Sequence, residues 1–218
     1  MQAFSFLFAS INLFMFNLSL AQDSISFDNK IDFEDGIYLN HEAFFKNKPI
    51  LKSQLIHPNV NSSDFWDEYL ALSTIEFYGA DGTVQFVDRA SVFGACMYGA
   101  PYIQTETGFY KLVIIGNLCY FPANRLVEMV DPAWGYSPVY SPYPQGSRTT
   151  TNLQLDYFFF QIHKGEILDL SEEQLRPFLE ESDLLLEEFE GLRKKERRKM
   201  LPYFVRKYNT QFPVFLEP

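Results

Sequence analysis

Cysteine and histidine are the scarce residues here: the 218-residue chain holds two of the first and three of the second. Cys96 and Cys119 alone are too few for a thiolate zinc site, and no histidine stands at ligand spacing beside them, so no metal is expected. Glycine-rich phosphate loops and the G-x-G-x-x-G fingerprint are missing, and no serine sits in a G-x-S-x-G elbow. No cofactor is therefore called for. Positive charge is also short, with 18 Lys and Arg against 28 Asp and Glu and a net charge of −10. A surface of that sign opposes nucleic acid, whose binding rests on neutralising phosphates, and opposes general adhesion to anionic bilayers.

Charge is absent altogether from the first 22 residues, MQAFSFLFASINLFMFNLSLAQ, and the stretch Phe4 to Leu20 is mostly Phe, Leu, Ile and Met. Ser19 and Ala21 place small residues at the minus-three and minus-one positions of a cut before Gln22. Residues 1–21 read as a secretory signal peptide, although the amino terminus alone supplies the positive end. An uncleaved anchor is the rival reading; Asn12 and Asn17 within the run argue against it. No second run is long and apolar enough to span a bilayer, so the mature chain is expected to be periplasmic or secreted, with no transmembrane segment.

What the chain does have is aromatic bulk, with 23 Phe and 13 Tyr, which favours strands and supplies a large core. Residues 22–35 are polar and acidic and read as a flexible leader. In "GIYLNHEAFFKNKP", a short strand at 37–39 precedes Asn40, an N-cap for a helix over His41 to Lys46. From Thr74 the apolar period becomes two, with Gly79-Ala80-Asp81-Gly82 turning one strand into the next. Strands are expected at 92–98, 102–104, 109–115 and 118–121, punctuated by glycines. Residues 131–152, with four prolines and two glycines, read as a loop. A second hairpin covers 153–170 around Lys164-Gly165. Ser171 to Gln174 matches a capping box, and Ser182 or Asp183 opens a longer helix that runs on into "RKKERRK". The fold class is α+β: a β-rich small barrel or bent antiparallel sheet over 36–170, with a helical region over 171–218.

Three sets of residues carry the functional candidates. Cys96 and Cys119, an even pair in an oxidising compartment, form either a disulfide or two separate buried thiols. Trp134, Tyr136, Tyr140 and Tyr143 on the proline-rich loop could make a platform for sugar or peptide, or lie down on the core. Arg193, Lys194, Lys195, Arg197, Arg198 and Lys199 could meet an anionic polymer, headgroup or acidic protein. Their alternative is a solvated helix end, in which Glu187, Glu188 and Glu190 at the start and the cations at the finish complement the helix dipole, helped by a Glu190–Lys194 pair.

"GIYLNHEAFFKNKP", "SVFGACMYGAPYI" followed by "FYKLVIIGNLCYF", and "VRKYNTQFPVF" together resemble an uncharacterised family of exported proteins from Gram-negative bacteria. Gly36, Tyr38, Phe44 or Phe45, Asn47 and Pro49 carry its first motif, with Asn40 where the family has Thr; Tyr208, Asn209 and Pro213 carry the last. The resemblance implies export and a shared fold, and no activity. The expected function is a non-enzymatic binding or structural role at the cell envelope, toward an envelope protein or glycan. A hydrolase using Cys96 or a His/carboxylate pair is the alternative.

Overall fold

The computed structural model describes residues 32–131 and 148–214. Residues 1–21, read as a signal peptide, and the four loop aromatics Trp134, Tyr136, Tyr140 and Tyr143 lie outside the described residues. The chain runs β1 (Gly36–Tyr38), α1 (His41–Phe45), β2 (Ile50–Leu51), α2 (Phe65–Ala71), β3 (Thr74–Tyr78), β4 (Val84–Asp88), β5 (Gly94–Met97), β6 (Ala100–Thr105) and β7 (Gly108–Lys111). It continues through β8 (Leu118–Asp131), β9 (Arg148–Gln161), β10 (Ile167–Asp169), α3 (Glu172–Leu179), α4 (Asp183–Gly191) and α5 (Lys194–Gln211).

The class is α+β, with three antiparallel sheets ordered β2-β1-β5-β6-β7, β10-β9-β8 and β3-β4. Among the described residues the strands do not close into a barrel. The reason is visible in the packing: both large sheets are covered on both faces, so they stack as layers. Ile37 and Ala95, opposite each other on β1 and β5, face a cluster with Phe65, Trp66 and Tyr69 of α2 and Ile75 and Phe77 of β3. Tyr38, Cys96 and Ile103 face the other way, onto Cys119, Phe121, Ala123 and Phe160 of the β8–β9 pair. The back of that pair, Leu118, Tyr120 and Phe159, is roofed by Leu175, Leu179, Phe189, Leu201, Phe204 and Tyr208 of the three C-terminal helices. Among the described residues no helix is long and apolar enough to cross a membrane.

Local capping follows the sequence. Asn40 accepts from the Ala43 N–H at 2.9 Å, Ser171 from Gln174 at 3.2 Å and Ser182 from Leu185 at 3.4 Å. The β3–β4 hairpin forms as expected, with Ile75 opposite Val87 and Phe77 opposite Gln85, which leaves Val84 and Phe86 on the other face and exposed. Three expectations need correction. Of the residues read as leader, the described ones, 32–35, belong to the fold: Phe33 is buried and stacks on Phe44, so the core takes in chain upstream of Gly36. Residues 148–152, read as loop, are strand, and β8 runs ten residues beyond Phe121 to pair with them in one long hairpin. Finally, the C-terminal helix is broken at Leu192 and Arg193, both extended, after Gly191.

Candidate functional site

The break at Leu192–Arg193 decides what the basic run is. The solvated-end reading put the cations at the finish of a helix, where they favour the dipole. Instead Arg193 is the N-cap of α5, and Lys194 and Lys195 occupy its first two positions. There the unpaired N–H groups already carry positive charge, so the cations add to it. Glu196 alone answers, accepting from the Arg193 N–H at 3.1 Å. Glu190 does not pair with Lys194; it holds Arg176 at 2.6 Å.

The six cations then divide. Arg197 turns inward, reaching Glu172 at 3.0 Å and the Leu192 carbonyl at 2.9 Å while lying over the Phe189 ring. It is a tie between α3 and α5. Arg198 touches the same carboxylate at 3.8 Å from an exposed position. Arg193, Lys194, Lys195 and Lys199 are exposed, and no acidic group in the described chain is paired with their side chains. On a chain of net charge −10, a positive spot without internal neutralisation is what a surface for an anionic partner requires. The signal for it lay in the sequence: Gly191 as a helix end and the three-residue spacing from Arg193 to Glu196 mark a new start.

The thiols are not joined. Cys96 Sγ lies 3.6 Å from the Phe33 carbonyl and 3.5 Å from the Asp35 carboxylate, while Cys119 Sγ donates to the Gly116 carbonyl at 3.4 Å. Both are buried in the same cluster as free thiols, so the disulfide gives way to the alternative of core filling. Burial first, then the adjacent Asp35, pushes the Cys96 thiol up to about 12, and burial pushes Cys119 up to about 12. A thiol held in its protonated form is a poor nucleophile.

Each histidine has a structural place. The His41 ring hydrogen-bonds the Ile162 carbonyl at 2.7 Å, His163 packs on Phe45, and His57 lies edge-on to Phe65. An open cleft of about 260 Å³ between the β1–α1–β2 segment and the β3–β4 turn is lined by Lys48, Gln54, Phe77 and Gln85, without a carboxylate or imidazole. Among the described residues no three His, Cys, Asp or Glu side chains group as metal ligands.

The two terminal motifs turn out to be clamps. Asn47 accepts from the Glu34 N–H at 2.9 Å and the Tyr38 hydroxyl at 2.7 Å, and donates to the Asp32 carbonyl at 2.8 Å. At the other end Asn209 reaches from α5 to the start of β8, accepting from the Leu118 N–H at 2.7 Å and donating to the Leu118 carbonyl at 2.8 Å. Any Cβ at residue 116 would collide with that amide, which accounts for Gly116. Tyr208 beside it donates to Glu181 at 2.7 Å. Comparison of the chain with protein-family models, curated proteins and solved structures finds no match.

Proposed function

We propose that this is an exported, non-enzymatic protein that binds an acidic protein or glycan of the cell envelope through the first turns of α5. The observation that supports this reading most is the placement of Arg193, Lys194, Lys195 and Lys199 at the positive end of an 18-residue helix, exposed and with no ion pair to their side chains among the described residues. That arrangement costs folding stability, because cations at a helix start and like charges at i,i+4 are both unfavourable. A chain that needed only a solvated helix would be served better by glutamates there.

The test is retention of the protein on isolated envelope fragments and on immobilised poly-glutamate. Retention should weaken as salt rises from about 50 mM to about 300 mM, because exposed charges are screened over that range. K194E/K195E/K199E should lose at least about tenfold in affinity, a fair return for three reversed rim charges. A variant retained as well as the parent at low salt ends the proposal.

A further inference from the structure

Outside this basic surface, the outer half of the β8–β9 hairpin is the most unusual exposed part of the described chain. At its base both faces are covered, as described above. From 124 to 129 on β8 and from 149 to 155 on β9 no residue is fully buried, yet the ribbon extends to Asp131 and Arg148. Side chains opposite each other in an antiparallel pair share a face, and successive rungs alternate faces. The face that carries Tyr120 and Phe159 under the helices therefore continues outward through Pro122–Tyr157, Asn124–Leu155 and Leu126–Leu153. Tyr157 is 50% exposed, Leu155 56%, Leu126 49% and Leu153 63%. The reverse face is polar over the same length, with Arg125 paired to Asp156 and to Asp169 and with Gln154 beside them.

A two-stranded ribbon is marginal in water without a further strand or cover. Here the uncovered side is an apolar ladder contiguous with an interface the helices already close. We infer that a second copy of this chain covers it, the two ribbons packing face to face about a two-fold axis at Leu155. Three features select that occupant. Asn124–Leu155 is the middle of the three rungs, so a two-fold axis there sets Leu155 on its own mate and brings the same apolar rungs of both ribbons to the crossing, the self-complementarity an isologous contact needs. The three rungs hold no Asp, Glu, Lys, Arg or His, so two chains of −10 meet on ground without charge. The ribbon also stands clear of the layered body, and crossing ribbons keep the two acidic bodies apart. The helix layer on the same face requires the ribbons to cross steeply, one of the two preferred sheet-on-sheet arrangements. The small contact makes this a weak dimer.

This inference shares no residue with the α5 surface, and salt separates the two: screening weakens binding of an acidic partner but strengthens association of two like-charged chains. Sedimentation equilibrium of the purified mature chain from about 1 to about 300 µM should show a monomer–dimer equilibrium that tightens several-fold between low and high salt. Leu155→Asp, at an exposed site, places two carboxylates at the axis and should weaken the dimer at least about tenfold. Asn152→Asp, on the reverse face, should leave it unchanged. Leu155→Cys should give a covalent dimer on mild oxidation. A chain that stays monomeric at every concentration and salt overturns the inference. So does a dimer that Leu155→Asp leaves intact, which would place the contact elsewhere.

Discussion

Replacing Lys194 and Lys195 by glutamate should move stability and binding in opposite directions. Both side chains are exposed and unpaired at the first two positions of α5. Removing an adverse cation from a helix start, then placing an anion there, is worth about 0.3–1 kcal/mol for each step before allowance for exposure. The same change turns the like-charge pairs Lys194–Arg198 and Lys195–Lys199 into Glu–Arg and Glu–Lys pairs in the favourable orientation, each a swing of about 0.5 kcal/mol. Against this, net charge goes from −10 to about −14, two units per substitution. At about 0.1 M salt, charges more than about 10 Å away are screened, so the neighbouring terms win. With discounting for solvent, the sum is a gain of about 1–2 kcal/mol, or a rise in Tm of about 2–8 °C for a chain of this size. Calorimetry at about 0.1 M and about 1 M salt measures it, and the gain should shrink by more than half at the higher salt. A double variant that melts at or below the parent temperature refutes the assignment of these residues to a helix start. If it is stabilised and still binds envelope fragments, the helix is right and the proposed role is wrong.

Three further outcomes test the rest of the structure. Gly116→Ala should destabilise sharply, and Asn209→Ala by about 2–4 kcal/mol through the two backbone groups of Leu118 that lose their partner; in the double variant the alanine at 116 should add little, and additive losses in a denaturant cycle would contradict the clamp. Asn47→Ala should lower stability by about 2 kcal/mol, since three hydrogen bonds at the chain entry converge on a residue with φ of 50°; equal urea midpoints would count against that. The buried thiols hold their protons up to about 12, against 9.0 for an unperturbed thiol, and Tyr69 holds its own up to about 12 against 10.0. Because the unfolded chain releases these protons first, stability should be level below pH 9 and fall as pH climbs from there toward 12. Thiolate absorbance should stay flat in the folded protein from pH 8 to 10 and two thiols should appear on unfolding; finding none would restore the disulfide.

Local chemistry was readable along the chain, and relations between distant segments were not. Asn40, Ser171 and Ser182 cap helices because a cap depends on three or four neighbours, all in view. The β3–β4 hairpin was equally plain, but its register depends on the turn, and the offset sends Val84 and Phe86 outward. Residues 148–152 went unrecognised because the prolines and glycines before them dominate the composition, although Thr149, Thr150 and Thr151 are good strand formers. β8 continues through Pro122, which lies on the edge strand of its sheet. Among the site candidates, the basic run was visible as charge, while its place at a helix start turned on the break at Leu192. The alternation of Leu153, Leu155 and Tyr157 announced a strand; which face the helices would fail to roof is a fact of tertiary layering.

The Asn209 bond to Leu118 bridges 91 positions of chain. Translation delivers β8 long before it delivers the residue that locks it. Until the end of α5 emerges, the strand's first residue lacks its amide partner and the helix roof is incomplete. A nascent chain of this design closes late: a residue near the end of α5 is the latch, and a chain cut just short of Asn209 should be more open to proteases than one that includes it.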